Sequence, residues 1–172
     1  KPRAYEVLAK KYCARLSIPV IPSHVAILSQ RQDPDRLPAL LHPDSPAMQK
    51  ALANNIRTRL ACLWATHCGR GCAVKANYQS TTVHIPPALA TGNLDIITDA
   101  MVREVSVDAD GRATGVHYID RKSRMDLHVK ARVVVLAASG CESARILLNS
   151  KSARFSHGLA NSSGKVGRYL MD

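Results

Sequence analysis

Cys62, Cys68 and Cys72 are spaced six and four residues apart, and Gly69 and Gly71 lie between the last two. Thiolates gathered in so short a loop suit zinc or an iron–sulfur cluster, and the glycines let the backbone fold tightly around a bound group. Three thiols fall one short of the usual four ligands. Either His67 completes a zinc site or the loop holds a three-iron cluster. The same spacing accommodates plain buried cysteines, or a Cys62–Cys68 or Cys68–Cys72 disulfide in an exported protein. Cys13 and Cys141 sit in apolar contexts and read as core.

Other chemistry is thinner. Gly69-Arg70-Gly71-Cys72-Ala73-Val74 approaches a dinucleotide fingerprint, but it ends on valine and no convincing strand precedes it. No phosphate loop closing on Gly-Lys-Ser/Thr occurs, so nucleotide hydrolysis has no support. Asn161-Ser162-Ser163 is a glycosylation acceptor only in a secreted eukaryotic protein. The seven histidines are scattered, and none has a carboxylate or nucleophile at a telling distance along the chain.

Positioning such residues requires a folded domain, and the composition provides for one. The 172 residues are 46% hydrophobic and 22% charged, which is ordinary globular usage. The net charge of +11 is concentrated in residues 1–86, which carry +8 against +3 for residues 87–172. Basic side chains are spread rather than clustered in a run. Only 4% of residues are aromatic, which argues against the stacking platforms of single-strand nucleic-acid binders, and nucleic acid is not an expected partner. No apolar run approaches the ~20 residues that span a bilayer. The chain opens at Lys1 without a methionine and closes on Leu170-Met171-Asp172, and we read it as an internal segment of a longer protein.

The pattern of elements changes midway. Val7, Leu8, Tyr12 and Leu16 recur near helical spacing until Pro19. Pro22 and Val25–Leu28 read as a short extended stretch. Pro34, Pro38, Pro43 and Pro46, with Asp33, Asp35 and Asp44, mark residues 30–46 as a loop or lid. Asp44 or Ser45 then caps a helix carrying Met48, Leu52, Ile56 and Leu60 on one face. Beyond Leu94–Ile97 the sequence is β-rich: Val102–Val107, a turn at Asp108–Gly111, Ala113–Ile119 and Leu127–Val129. Val133–Ala138 is a continuous apolar run of the kind buried on both faces of a parallel sheet. Ser139-Gly140 and a helix through Glu142–Leu148 follow, the strand–turn–helix arrangement at which open α/β sheets bind ligands.

Ile85-Pro86-Pro87-Ala88, Thr91–Val105, Asp110–Val116, Val133–Ser150 and Asn161–Asp172 together resemble the glucose–methanol–choline (GMC) flavoprotein oxidoreductases. The likeness runs over residues 60–172 and is looser over 1–59. It implies a mixed α/β fold: part of an FAD-binding domain with a β-hairpin or meander insert, then a buried parallel-type strand leading into a helix. Residues 61–172 would form that partial domain, including the cysteine loop. Residues 1–60 would be a helical and proline-rich segment on the insert or substrate side. The family's glycine-rich pyrophosphate fingerprint and its catalytic histidine are not in this sequence, so no catalytic residue is assigned.

The resemblance implies FAD as cofactor, with the Val102 backbone N–H and C=O holding the adenine edge and the Ala138-Ser139 turn closing on the adenosine. The family usually has glycine where this chain has Ser139 and proline where it has Ala144. It implies oxidation of a CH–OH donor, an alcohol, sugar or polyol, by hydride transfer to flavin. The spacing of Cys62, Cys68 and Cys72 is similar to that of the large subunits of bacterial membrane-associated sugar dehydrogenases. There three cysteines ligate a 3Fe–4S cluster that passes electrons to a cytochrome subunit. The competing expectation is a small zinc-stabilised module, ligated by Cys62, His67, Cys68 and Cys72, with a basic surface for an anionic partner.

Overall fold

A computed structural model describes residues 2–36, 45–64 and 68–170. The chain divides into two compact units, Lys1–Asp95 and Ile96–Asp172.

In the first unit, α1 spans Ala4–Arg15. The Glu6 carboxylate accepts the Arg3 backbone N–H at 2.6 Å, satisfying one donor that a helix start leaves without a partner. The expected apolar stripe is present but uncovered, with Tyr5, Val7, Leu8 and Tyr12 all exposed. Helix α2, Pro46–Arg57, begins as anticipated, with Ser45 at the cap and a proline in the first turn. Asp44, the other proposed cap, lies outside the described residues, as do Pro38 and Pro43 of the loop. Ile56 is buried and Met48 and Leu52 are half-buried, so the face built from every fourth residue does pack. Leu60 falls beyond the helix end and is exposed.

Two short helices, α3 at Ser80–Val83 and α4 at Ile85–Leu89, receive α2. Pro86 and Pro87 suggest a break in sequence. They occupy the first turn of α4, where no backbone donor is needed, and Pro87 is buried. Asn55 Nδ2 donates to the Thr82 carbonyl at 2.8 Å, tying α2 to α3. Residues 26–28, 60–62 and 74–78 exchange backbone hydrogen bonds, with one antiparallel bridge between Ile27 and Asn77.

The second unit is a three-stranded antiparallel meander in the order β1–β2–β3, with one helix packed on β1. The strands are β1 (Ala100–Val107), β2 (Ala113–Asp120) and β3 (Asp126–Lys130). The first turn closes through Asp108, whose carboxylate accepts the Arg112 N–H at 2.8 Å, with Gly111 at φ +83°. The second is held by the Asp120 carboxylate, which accepts from the Lys122 and Ser123 backbone N–H groups and the Ser123 hydroxyl. Gly115 is obligatory: a Cβ there would stand 2.1 Å from the Val129 carbonyl oxygen. Register shifts occur between Val102 and Glu104 and between Ser106 and Val107, the first leaving Arg103 as an extra residue. Leu94–Ile97 forms no strand.

Helix α5 covers Ser139–Asn149. Val105, Ile146 and Ser150 form the buried centre of this unit. The meander and α5 match the sequence expectation. The preceding run does not: residues 133–138 form no strand, and Val133 and Val135 are 75% and 82% exposed. A strand apolar on both faces is stabilised only between neighbouring strands and under covering layers, and the described residues supply no parallel neighbour. The mixed helix-and-sheet class holds; the buried parallel strand is not formed in this chain.

Candidate functional site

The residues expected to meet the cofactor lie on β1 and at the start of α5, the helix that packs on β1. Val102 is half-buried on β1, whose one edge pairs with β2. Three polar groups from α5 and its cap engage β1. Arg145 Nη2 donates to the Val102 carbonyl at 2.8 Å, and Asn149 Nδ2 to the Arg103 carbonyl at 3.4 Å. The Ser150 hydroxyl accepts the Val105 N–H at 2.8 Å and donates to the Ile146 carbonyl at 2.6 Å. The three contacts with β1 each span more than forty residues of sequence, so no local pattern points to them. The one readable trace is the i,i+3 pair of Glu142 and Arg145.

That pair is a clamp. Arg145 donates through Nε and Nη2 to Glu142 Oε2, at 2.9 and 2.8 Å. Hydrogen bonding from the guanidinium holds the Glu142 carboxyl below its ordinary pKa and pushes Arg145 above its own. Arg145 Nη2 thus serves the Glu142 carboxylate and the Val102 carbonyl together, with Nε adding a second bond to Glu142.

Ala138 caps α5 and Ser139 opens it, both exposed. Ser139 has φ +70°, in the left-handed region that favours glycine. The backbone therefore keeps a glycine-like turn although a serine occupies it. The turn is exposed and built of small residues, which leaves room for a ligand to approach its main chain. Val102, Ala138 and Ser139 are the residues that the family resemblance implies for the adenosine end of FAD.

The cysteine loop behaves differently. Cys68–Arg70 forms a single 3-10 turn, and Cys62, Cys68 and Cys72 are each half-buried. Cys62 Sγ accepts the Trp64 N–H at 3.5 Å and Cys72 Sγ the Ala76 N–H at 3.3 Å. No disulfide joins any of the five cysteines. Among the described residues no three His, Cys, Asp or Glu side chains come together as a metal-holding group. His67 lies outside the described residues. As placed, the three thiols do not fit an iron–sulfur cluster, and no electron-transfer step is routed through them.

Two of the scattered histidines do meet. His117 and His128 are cross-strand partners with rings 4.4 Å apart; His128 Nε2 lies 2.9 Å from Ser106 Oγ, and His117 Nδ1 lies 3.5 Å from Asp126. Their partially exposed, polar surroundings read as the solvated face of the meander.

The chain matches the family description "GMC oxidoreductase" over residues 49–172. It is 42% identical over 91 residues to 2-methyl-1,2-propanediol dehydrogenase of Mycolicibacterium austroafricanum, covering 53% of this chain and 16% of that protein. It is 30% identical over 129 residues to the fructose dehydrogenase large subunit of Gluconobacter japonicus, covering 75% and 23%. With paromamine 6'-oxidase of Streptomyces fradiae the identity is 31% over 99 residues, covering 58% and 18%. The matched region is less than a quarter of each relative's length. With most of its length matched to the family description, this chain belongs to the GMC oxidoreductase family.

Proposed function

We propose that this chain is part of the FAD-binding domain of an oxidoreductase that oxidises a CH–OH donor, an alcohol, polyol or sugar. The observation that carries the reading is the family match across residues 49–172, which contains both the meander and α5. The relatives named for dehydrogenation of a diol and of fructose, and for oxidation of an aminoglycoside position, support a hydroxyl-bearing substrate. Within this proposal residues 61–172 serve the cofactor and residues 1–60 the insert or substrate side. This reading takes the place of the zinc-stabilised module.

FAD, when bound, supplies the two-electron acceptor for the substrate's hydride. This chain's own part is to bind and orient. The Val102 peptide addresses the adenine edge, while Ala138 and Ser139 let the main chain approach the adenosine. The base that takes the hydroxyl proton is assigned to no residue here. The likeness to a large subunit supports a second polypeptide, a cytochrome or other electron-accepting subunit, as partner.

The test is turnover by the protein expressed from its complete reading frame. A panel of diols, sugars and primary alcohols is offered with either molecular oxygen or an artificial dye as acceptor. Dye reduction dependent on one of these donors is expected, with oxygen consumption much slower. Oxygen consumption matching dye reduction would make the protein an oxidase and remove the partner subunit. Turnover of none of the donors, by a protein that retains flavin, would count against the substrate class.

A further inference from the structure

The bulge at Arg103 interrupts β1 at the point where the strand is expected to meet the cofactor. A peptide beside a bulge is less constrained than one within a regular ladder, because the extra residue has no partner across the sheet. Its carbonyl direction must be fixed by something else. Here the fixing group is Arg145, whose Nη2 lies 2.8 Å from the Val102 oxygen in a part-buried contact. Glu142 accepts from Nε and from the same Nη2, so the donating nitrogen is itself held in place. Arg145 is well suited to this role: its planar fork stays charged and loses little freedom for each bond it makes.

Resting on the FAD reading above, we propose that Arg145, clamped by Glu142, is a positioning residue for the adenine end of the cofactor. By holding one lone pair of the Val102 carbonyl, it aims the other at the purine amino group. The recognition this produces is selective. Adenine presents an amino donor to that oxygen. Hypoxanthine presents a carbonyl acceptor, which would leave two acceptors facing each other. A peptide free to rotate at the bulge would discriminate less, because it could turn its oxygen away. Asn149 and Ser150 hold the neighbouring Arg103 and Val105 groups and leave Val102 to Arg145.

The experiment uses the protein from its complete reading frame, stripped of flavin and titrated with FAD and with its deaminated hypoxanthine analogue. Binding is read by flavin fluorescence. The wild type is expected to prefer FAD at least tenfold. Arg145→Ala is expected to bring that ratio close to one, and Arg145→Lys to restore part of it. If Arg145→Ala does not fold, Glu142→Gln releases the clamp while leaving the guanidinium, and a several-fold fall in the ratio is expected. Arg154→Ala removes a hydrogen bond to the Asp110 carbonyl at the far turn; it should leave the ratio unchanged. A ratio preserved in both Arg145→Ala and Glu142→Gln would overturn the positioning role while leaving the FAD reading intact. A wild type that binds FAD without preferring it over the analogue would overturn the assignment of Val102 to the adenine edge, and this proposal with it. A wild type that binds no FAD would overturn the flavin reading itself.

Discussion

Ser139 carries a cost that a glycine would avoid. Its φ of +70° places Cβ against the following carbonyl oxygen, worth roughly 1–2 kcal/mol for a residue with a side chain. Glycine would relieve that strain and give back part of the gain through extra freedom in the unfolded chain. Ser139→Gly should therefore stabilise the protein by about 0.5–1 kcal/mol, seen as a higher denaturant midpoint; an unchanged or lower midpoint would contradict the strained turn. Ser150 is the opposite case, a residue the fold depends on. The residue is 3% exposed, and its hydroxyl satisfies both Val105 and Ile146. Ser150→Ala strands the Val105 N–H and should cost about 1–3 kcal/mol by chemical denaturation. Neither effect could be read along the chain: Ser139 stood out only as a departure from a glycine, and the Val105 partner of Ser150 lies 45 residues away.

The elements divide according to how local their causes are. Helices α1, α2 and α5 and the β1–β2 turn were legible, since periodicity, a proline in a first turn and an Asp-to-Gly turn act within a few residues. Helix α4 was hidden because its two prolines suggest a break rather than a start. The run at Val133–Ala138 misled for a different reason. Its composition records neighbours that the strand needs, and composition cannot supply them. Backbone amides of residues 133–136 should therefore exchange rapidly in the 172-residue chain and become protected in the protein from the complete reading frame. Rapid exchange in both would mean that the run is never a sheet strand. The β2–β3 turn predicts an acid response. The Ser123 N–H and hydroxyl, with lesser help from the Lys122 N–H and charge, hold the Asp120 carboxyl below its ordinary value. A depressed native pKa adds stability that is present above the unfolded carboxyl pKa of about 4 and is lost as pH falls through the native value. Asp120→Asn should therefore flatten the acid limb of stability in thermal melts between about pH 5 and 2. An acid limb as steep as that of the wild type would assign it to other carboxylates.

At the scale of the whole molecule, function was legible only as an order of motifs. No single stretch carries the reaction, and composition and charge excluded classes without choosing one. The sequence of short matches from Ile85 to Leu170 identified the family, and the comparison over residues 49–172 established it. The structure added what motif order cannot give, the Arg145 contact with the Val102 carbonyl beside the Arg103 bulge. It also withheld what spacing had suggested, a gathered set of thiols around Cys68. The central claim is that this chain belongs to a flavin enzyme holding FAD, and the most direct measurement is a visible absorption spectrum. It is taken anaerobically on the protein from its complete reading frame, and the released chromophore is identified after denaturation. The account predicts flavin bands, about one FAD released per chain as a single cofactor site requires, and bleaching when a CH–OH donor is added. A colourless protein that releases no FAD would contradict it.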